Sequence, residues 1–190
     1  MSQPARDALI EATALLLEQQ GYHGTGMSQI IKESGSPRGS LYYYFPEGKE
    51  ELAAAAIAQR AEAFAAFACA VLSERENAQS AILHFIDQVT AHLAEANFCS
   101  GAPLAAVALE TAATSDRLRA ACAEAYAHLH APFARKLEAG GYTPDDAAAL
   151  AIFINAAMEG AVVLSRVQRS IEPLRTVRAE IARVLSGPRA

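Results

Sequence analysis

Residues 21–52 read GYHGTGMSQIIKESGSPRGSLYYYFPEGKEEL, and their punctuation decides the fold. Gly21 stops the helical pattern that precedes it. Thr25 is placed to cap a short helix over 27–34, its hydroxyl accepting a free backbone N–H. Met27, Ile30 and Ile31 supply that helix with an apolar face, and Gly35 ends it, because glycine takes the left-handed conformation cheaply. Ser36 and Pro37 then read as the cap and first residue of a third short helix reaching Tyr44, with Leu41, Tyr42 and Phe45 facing inward. Pro46, Glu47 and Gly48 break the chain after it. A helix, a tight glycine turn and a second helix make a helix-turn-helix pattern. The second of the pair is too small for a core helix. It presents Arg38, Gly39, Ser40 and Tyr43 outward, and its first free N–H groups suit a phosphate.

Upstream, residues 5–20 place Leu9, Ala12, Leu16 and Leu17 at helical spacing. Downstream, Lys49 opens a long helix to about Ser73 on which Leu52, Ala56, Arg60, Phe64, Phe67 and Val71 recur by three, four or seven. Further helices are expected over 79–96, 103–110, 118–139, 145–168 and 173–185. Their punctuation is a loop over 97–102 with Gly101, the Gly140–Gly141 stop, the Thr143–Pro144 start and the Gly187–Pro188 end. No strand alternation and no internal repeat is found. The predicted fold is all-α, about nine helices. Residues 1–48 would form a three-helix helix-turn-helix domain and residues 49–190 a helical ligand-binding and dimerisation domain. The helix that opens at Lys49 would carry any motion between them.

Composition narrows the function. Hydrophobic residues make up 52% of the 190, much of it alanine, which loses no side-chain entropy in a helix. The net charge of −5 excludes a non-specific nucleic-acid binder, which would be strongly basic. A few well-aimed cations still permit specific DNA binding. Cys69, Cys99 and Cys122 read as reduced thiols, and polar residues after Met1 argue against export, so a cytoplasmic protein is expected. The apolar stretch 147–164 contains Asn155 and Glu159, which a membrane span would pay to bury, so no membrane partner is expected. His23, His84, His92, His128 and His130 lack ligand spacing, and neither metal nor cofactor is expected. No nucleophile–base pair or phosphate loop is found, which argues against an enzyme.

With these residues in place, the segment resembles the TetR/AcrR family of transcriptional regulators. The resemblance rests on Thr25, Gly35, the run Leu41-Tyr42-Tyr43-Tyr44-Phe45 and Lys49-Glu50-Glu51-Leu52. Pro37 to Tyr42, Phe45 to Lys49, and the stretch APLAAVALE at 102–110 look like the LmrA/YxaF-like branch. Two departures stand out: Gly48 lengthens the loop before Lys49, and Ala102 stands where that branch is expected to carry a cysteine. The resemblance implies that Thr25, Ser28, Arg38, Gly39, Ser40 and Tyr43 face the major groove while Tyr42, Tyr44 and Lys49 hold phosphates. The chemistry agrees, since arginine suits a guanine edge or a phosphate and tyrosine hydroxyls suit backbone oxygens.

One short helix reads only a half-site, so a homodimer is expected. The last two helices are the candidates for its interface. The first is apolar nearly all round, with Ala156, Gly160 and Ala161 permitting close approach; the second carries a seam of Ile171, Leu174, Val177, Ile181, Val184 and Leu185. For a small effector the candidate lining is Phe64, Phe67, Phe85, Val89, Val107, Tyr126, Phe133, Phe153 and Met158, each of which would equally serve to fill a core. Polar candidates are His92, His130, Asn155 and Glu159, the last pair four apart on one helix face. The expected function is a repressor that binds a palindromic duplex operator and is released by a small hydrophobic or aromatic effector. The alternative is an activator or regulator without ligand-dependent release.

Overall fold

The computed structural model describes residues 3–99 and 103–186, and these form nine α-helices and no strand. They are α1 (Gln3–Gly24), α2 (Met27–Ser34), α3 (Arg38–Tyr44), α4 (Lys49–Ser73), α5 (Ala78–Glu95), α6 (Pro103–Thr111), α7 (Asp116–Ala139), α8 (Pro144–Gln168) and α9 (Glu172–Leu185). Gly101, the Ala102 position and the Gly187–Pro188 stop lie outside the described residues.

Two compact units are present. The first holds α1, α2, α3, α4 to Glu62, α6, and α7 to Tyr126. Its core gathers Leu9, Leu16 and Leu17 of α1, Ile30 of α2, Leu41 of α3, Leu52 and Ile57 of α4, and Val107 of α6, all buried. Here α1 packs against α2, α3 and α6. The position of α6 is informative, since about eighty residues of chain separate it from α1.

The second unit holds the rest of α4, α5, the rest of α7, α8 and α9. Phe85 sits at its centre, with the rings of Phe64, Phe67 and Phe133 at 5.8, 5.6 and 5.0 Å. Ile82, Ile86, Leu137, Ile154, Met158, Ile181 and Leu185 complete the core. Each large apolar side chain fully buried there contributes about 1.5–3 kcal/mol. On the outside, Arg178 of α9 donates to both carboxylate oxygens of Asp87 of α5, at 2.6 and 2.9 Å. Asn77 caps α5 by accepting the Ser80 N–H, and Thr143 caps α8 by accepting the Asp146 N–H.

The differences from the sequence reading have local causes. Gly21 does break α1 (φ 73°, ψ −176°), but one more turn follows before the chain leaves the helix. Thr25 is not the cap of α2: Gly26 occupies that position, and the Thr25 hydroxyl instead donates back to the Gly21 carbonyl at 2.7 Å. Pro37, not Ser36, is the cap residue of α3; Ser36 is buried and its hydroxyl points to the Ala5 carbonyl at 3.4 Å. α7 begins two residues early because the Ser115 hydroxyl accepts the Leu118 N–H at 3.2 Å. Gly35, in contrast, ends α2 in the expected left-handed conformation at φ 63°.

Both α4 and α8 are long and apolar enough to cross a membrane by length and composition. Each gives its inward residues to the cores just described: Leu52, Ala56 and Val71 from α4, and Ala151, Ile154 and Met158 from α8.

Candidate nucleic-acid interface

The reading head is built from the inside out. Ile30, Leu41 and Phe45 are buried and anchor α2 and α3 on α1. The Arg6 guanidinium lies over the Phe45 ring, 5.7 Å from its centroid. With Leu41 turned inward, the opposite side of α3 is left to solvent. Arg38 and Gly39 are exposed there, with Tyr42 at 48% and Tyr43 at 65%. Tyr42 therefore does not face inward, as its position in the helix pattern suggested. Tyr44 is half-buried, its ring edge-on to Tyr43 at 5.0 Å. Gly39 has open space where a side chain would stand, so the backbone of α3 is accessible there.

On α2, Ser28 is exposed, and so are Gln29 and Lys32. Sequence reasoning passed over those last two. Helical spacing was the available signal, because Lys32 lies four residues after Ser28 and shares its face. Two predicted contact residues are turned inward instead: Thr25 is 1% exposed and Ser40 is 3% exposed.

Lys49 is half-buried and folded back onto the end of α1. Its ammonium donates to the Tyr22 carbonyl at 2.7 Å and sits 4.0 Å above the centre of the Tyr22 ring. Burial pushes its pKa down, while the nearby Glu110 carboxylate acts in the opposite direction. Burial, and then the Glu50 carboxylate, push the Tyr22 phenol up. Glu110, on α6, accepts the His23 backbone N–H at 2.7 Å. Its other oxygen occupies the space a side chain on Gly21 would need, 2.0 Å from the ideal Cβ position. Further along, Ser115 donates to Glu50 at 3.0 Å and Arg117 pairs with Glu47.

The head is not strongly basic. Through residue 48 its cationic side chains are Arg6, Lys32 and Arg38, against Asp7, Glu11, Glu18, Glu33 and Glu47. The exposed face is thus aromatic and polar with a few cations, suited to positioned contacts more than to a diffuse field.

The effector candidates divide between the units. Val107 and Tyr126 belong to the first. In the second, Phe85 and Met158 are core residues, and Phe64 and Val89 pack against that core. Phe67, His92 and Phe153 are exposed. Asn155 donates to the Ala151 carbonyl at 2.8 Å, and Glu159 and His130 are half-buried. Burial holds the His130 imidazole below its ordinary range. Among the described residues, no group of three or more His, Cys, Asp or Glu side chains is placed to hold a metal ion.

A small exposed helix, set by a glycine turn on a three-helix head, defines a helix-turn-helix DNA-binding protein. The chain belongs to the TetR family of bacterial transcriptional regulators: residues 9–56 match the tetR-family regulatory protein model, and residues 78–180 match the LmrA/YxaF-like C-terminal domain model. It is 34% identical to the uncharacterized HTH-type regulator YxaF of Bacillus subtilis over 177 residues, 93% of each chain. It is also 34% identical to the HTH-type regulator LmrA of the same organism over 170 residues, 90% of each. Among solved structures, reduced NemR of E. coli superposes with a TM-score of 0.79 at 25% identity, covering 93% of this chain and 95% of that one.

Proposed function

We propose that this regulator is a cytoplasmic repressor that acts by binding and not by catalysis. It would bind a palindromic operator as a homodimer and leave it when a small hydrophobic or aromatic effector binds. The observation that carries the reading is the outward face of α3, where Arg38, Gly39, Tyr42 and Tyr43 lie open while Leu41 and Phe45 are buried beneath. In this reading Ser28, Arg38, Gly39 and Tyr43 face the groove and Tyr42 and Tyr44 hold phosphates, with Thr25, Ser40 and Lys49 supporting them from within. The relative NemR is a transcriptional repressor, which favours the same sign of regulation here.

Dimerisation through α8 and α9 is supported by what they leave uncovered. Ile152, Phe153, Val163, Leu164 and Val167 of α8 and Val184 of α9 are exposed, an apolar face of the kind that marks a protein partner. Effector release would be a coupling of about 1–3 kcal/mol between operator and effector sites, with α4 as the shifting element. Mobility shifts on DNA upstream of the chain's own gene test this, run with and without hydrophobic and aromatic compounds. Release by a compound is expected; binding that no compound alters would indicate a regulator without ligand control.

A further inference from the structure

Family resemblance gives Lys49 to a DNA phosphate, but its surroundings point elsewhere. The ammonium has a carbonyl acceptor at 2.7 Å, an aromatic face at 4.0 Å and partial burial. Moving it to a phosphate would break a charge-assisted hydrogen bond and a cation–π contact. The turn it grips, Gly21 to His23, is gripped a second time by Glu110, through the His23 N–H at 2.7 Å. That grip uses the space glycine leaves at position 21, because a side chain there would displace the carboxylate. The two groups come from helices distant in sequence, α4 and α6, and converge on three consecutive residues. Those residues lead directly into α2 through Thr25, whose hydroxyl returns to the Gly21 carbonyl.

We propose that Lys49 and Glu110 are positioning residues that clasp the last turn of α1, where the chain leads into α2, and so set how α2 and α3 are presented to DNA. The charge of Lys49 is thereby spent within the protein and not on a phosphate. The inference rests on the reading of α3 as the DNA-contacting helix, and Arg38 serves as its independent control.

The test is the salt dependence of affinity for a duplex the protein selects, measured for the full chain and for Lys49→Met, Glu110→Ala and Arg38→Ala. A lost phosphate contact flattens the plot of log affinity against log salt by about 0.9 per contact. Lys49→Met and Glu110→Ala are each expected to weaken binding about ten-fold at every salt concentration with the slope unchanged, the size of one charge-assisted hydrogen bond. Lys49→Arg, which keeps a donor near the carbonyl, is expected to recover most of that loss. Hydrogen exchange on DNA-free protein gives a second readout: amides of residues 22–25 should exchange faster in both variants, which loss of a phosphate ligand would not cause. A flattened slope for Lys49→Met with unchanged exchange overturns the proposal, as does unchanged affinity in both variants. If Arg38→Ala leaves slope and affinity untouched, the assignment of α3 fails instead, and the exchange result still decides the clasp.

Discussion

The hydroxyl of Thr25 donates to the carbonyl of Gly21 at 2.7 Å, buried where the last turn of α1 leads into α2. Thr25→Val keeps the shape and removes the donor, leaving a buried carbonyl without that partner. The expected loss in chemical denaturation is about 1–3 kcal/mol, with Thr25→Ser close to the parent. Equal stability of all three proteins would show that this bond contributes nothing.

Gly21 is held at φ 73° with the Glu110 carboxylate against it. Gly21→Ala is expected to cost more than about 1 kcal/mol, because alanine is strained at positive φ. It also pushes Glu110 away from the His23 N–H. Glu110→Ala should therefore cost less in the Gly21→Ala background than in the parent, a coupling of about 0.5–3 kcal/mol in a double-mutant cycle. Strictly additive losses would contradict the contact.

Phe85 is fully buried among three other phenylalanine rings. Phe85→Ala is expected to destabilise the protein by about 3–5 kcal/mol, the transfer term plus the cavity left behind. A loss under about 1 kcal/mol would mean that the ring borders open space, as an effector chamber would require, and not packed core.

Burial lowers the affinity of the His130 imidazole for a proton. The unfolded chain then binds that proton at a higher pH than the folded one does. His130 therefore favours the folded state fully at pH values above both pKa values, and this contribution is lost as pH falls from the ordinary imidazole value near about 6.5 through the lower folded-state value. Melting temperatures followed between about pH 7.5 and about pH 5 should fall less steeply in His130→Gln than in the parent. Parallel curves for the two proteins would remove His130 from the account.

Glycine and proline made much of this structure readable from its residues. Gly35 ends α2 and Gly48 precedes α4, and both adopt the positive φ that marks a glycine boundary, so α2 and the start of α4 fall where the sequence places them. Thr25 is ambiguous in the sequence because a threonine beside a helix start can either accept from the helix or donate backward, and only the nearby Gly21 carbonyl decides between them. Lys49 was legible as a cation near the head but not as a spent one, since its partner, Tyr22, lies 27 residues earlier. The packing of α6 on α1 was not legible at all. PLAAVALET has a weak apolar stripe, and nothing in its spacing names α1 as its neighbour.

Selection of binding sites by the purified chain from a pool of random duplexes tests the central claim most directly. The account predicts enrichment of two inverted copies of one short sequence, their centres about 34 Å apart or a multiple of that distance, and loss of the enrichment with Arg38→Ala. Recovery of a single unpaired sequence, or of no sequence at all, would contradict it.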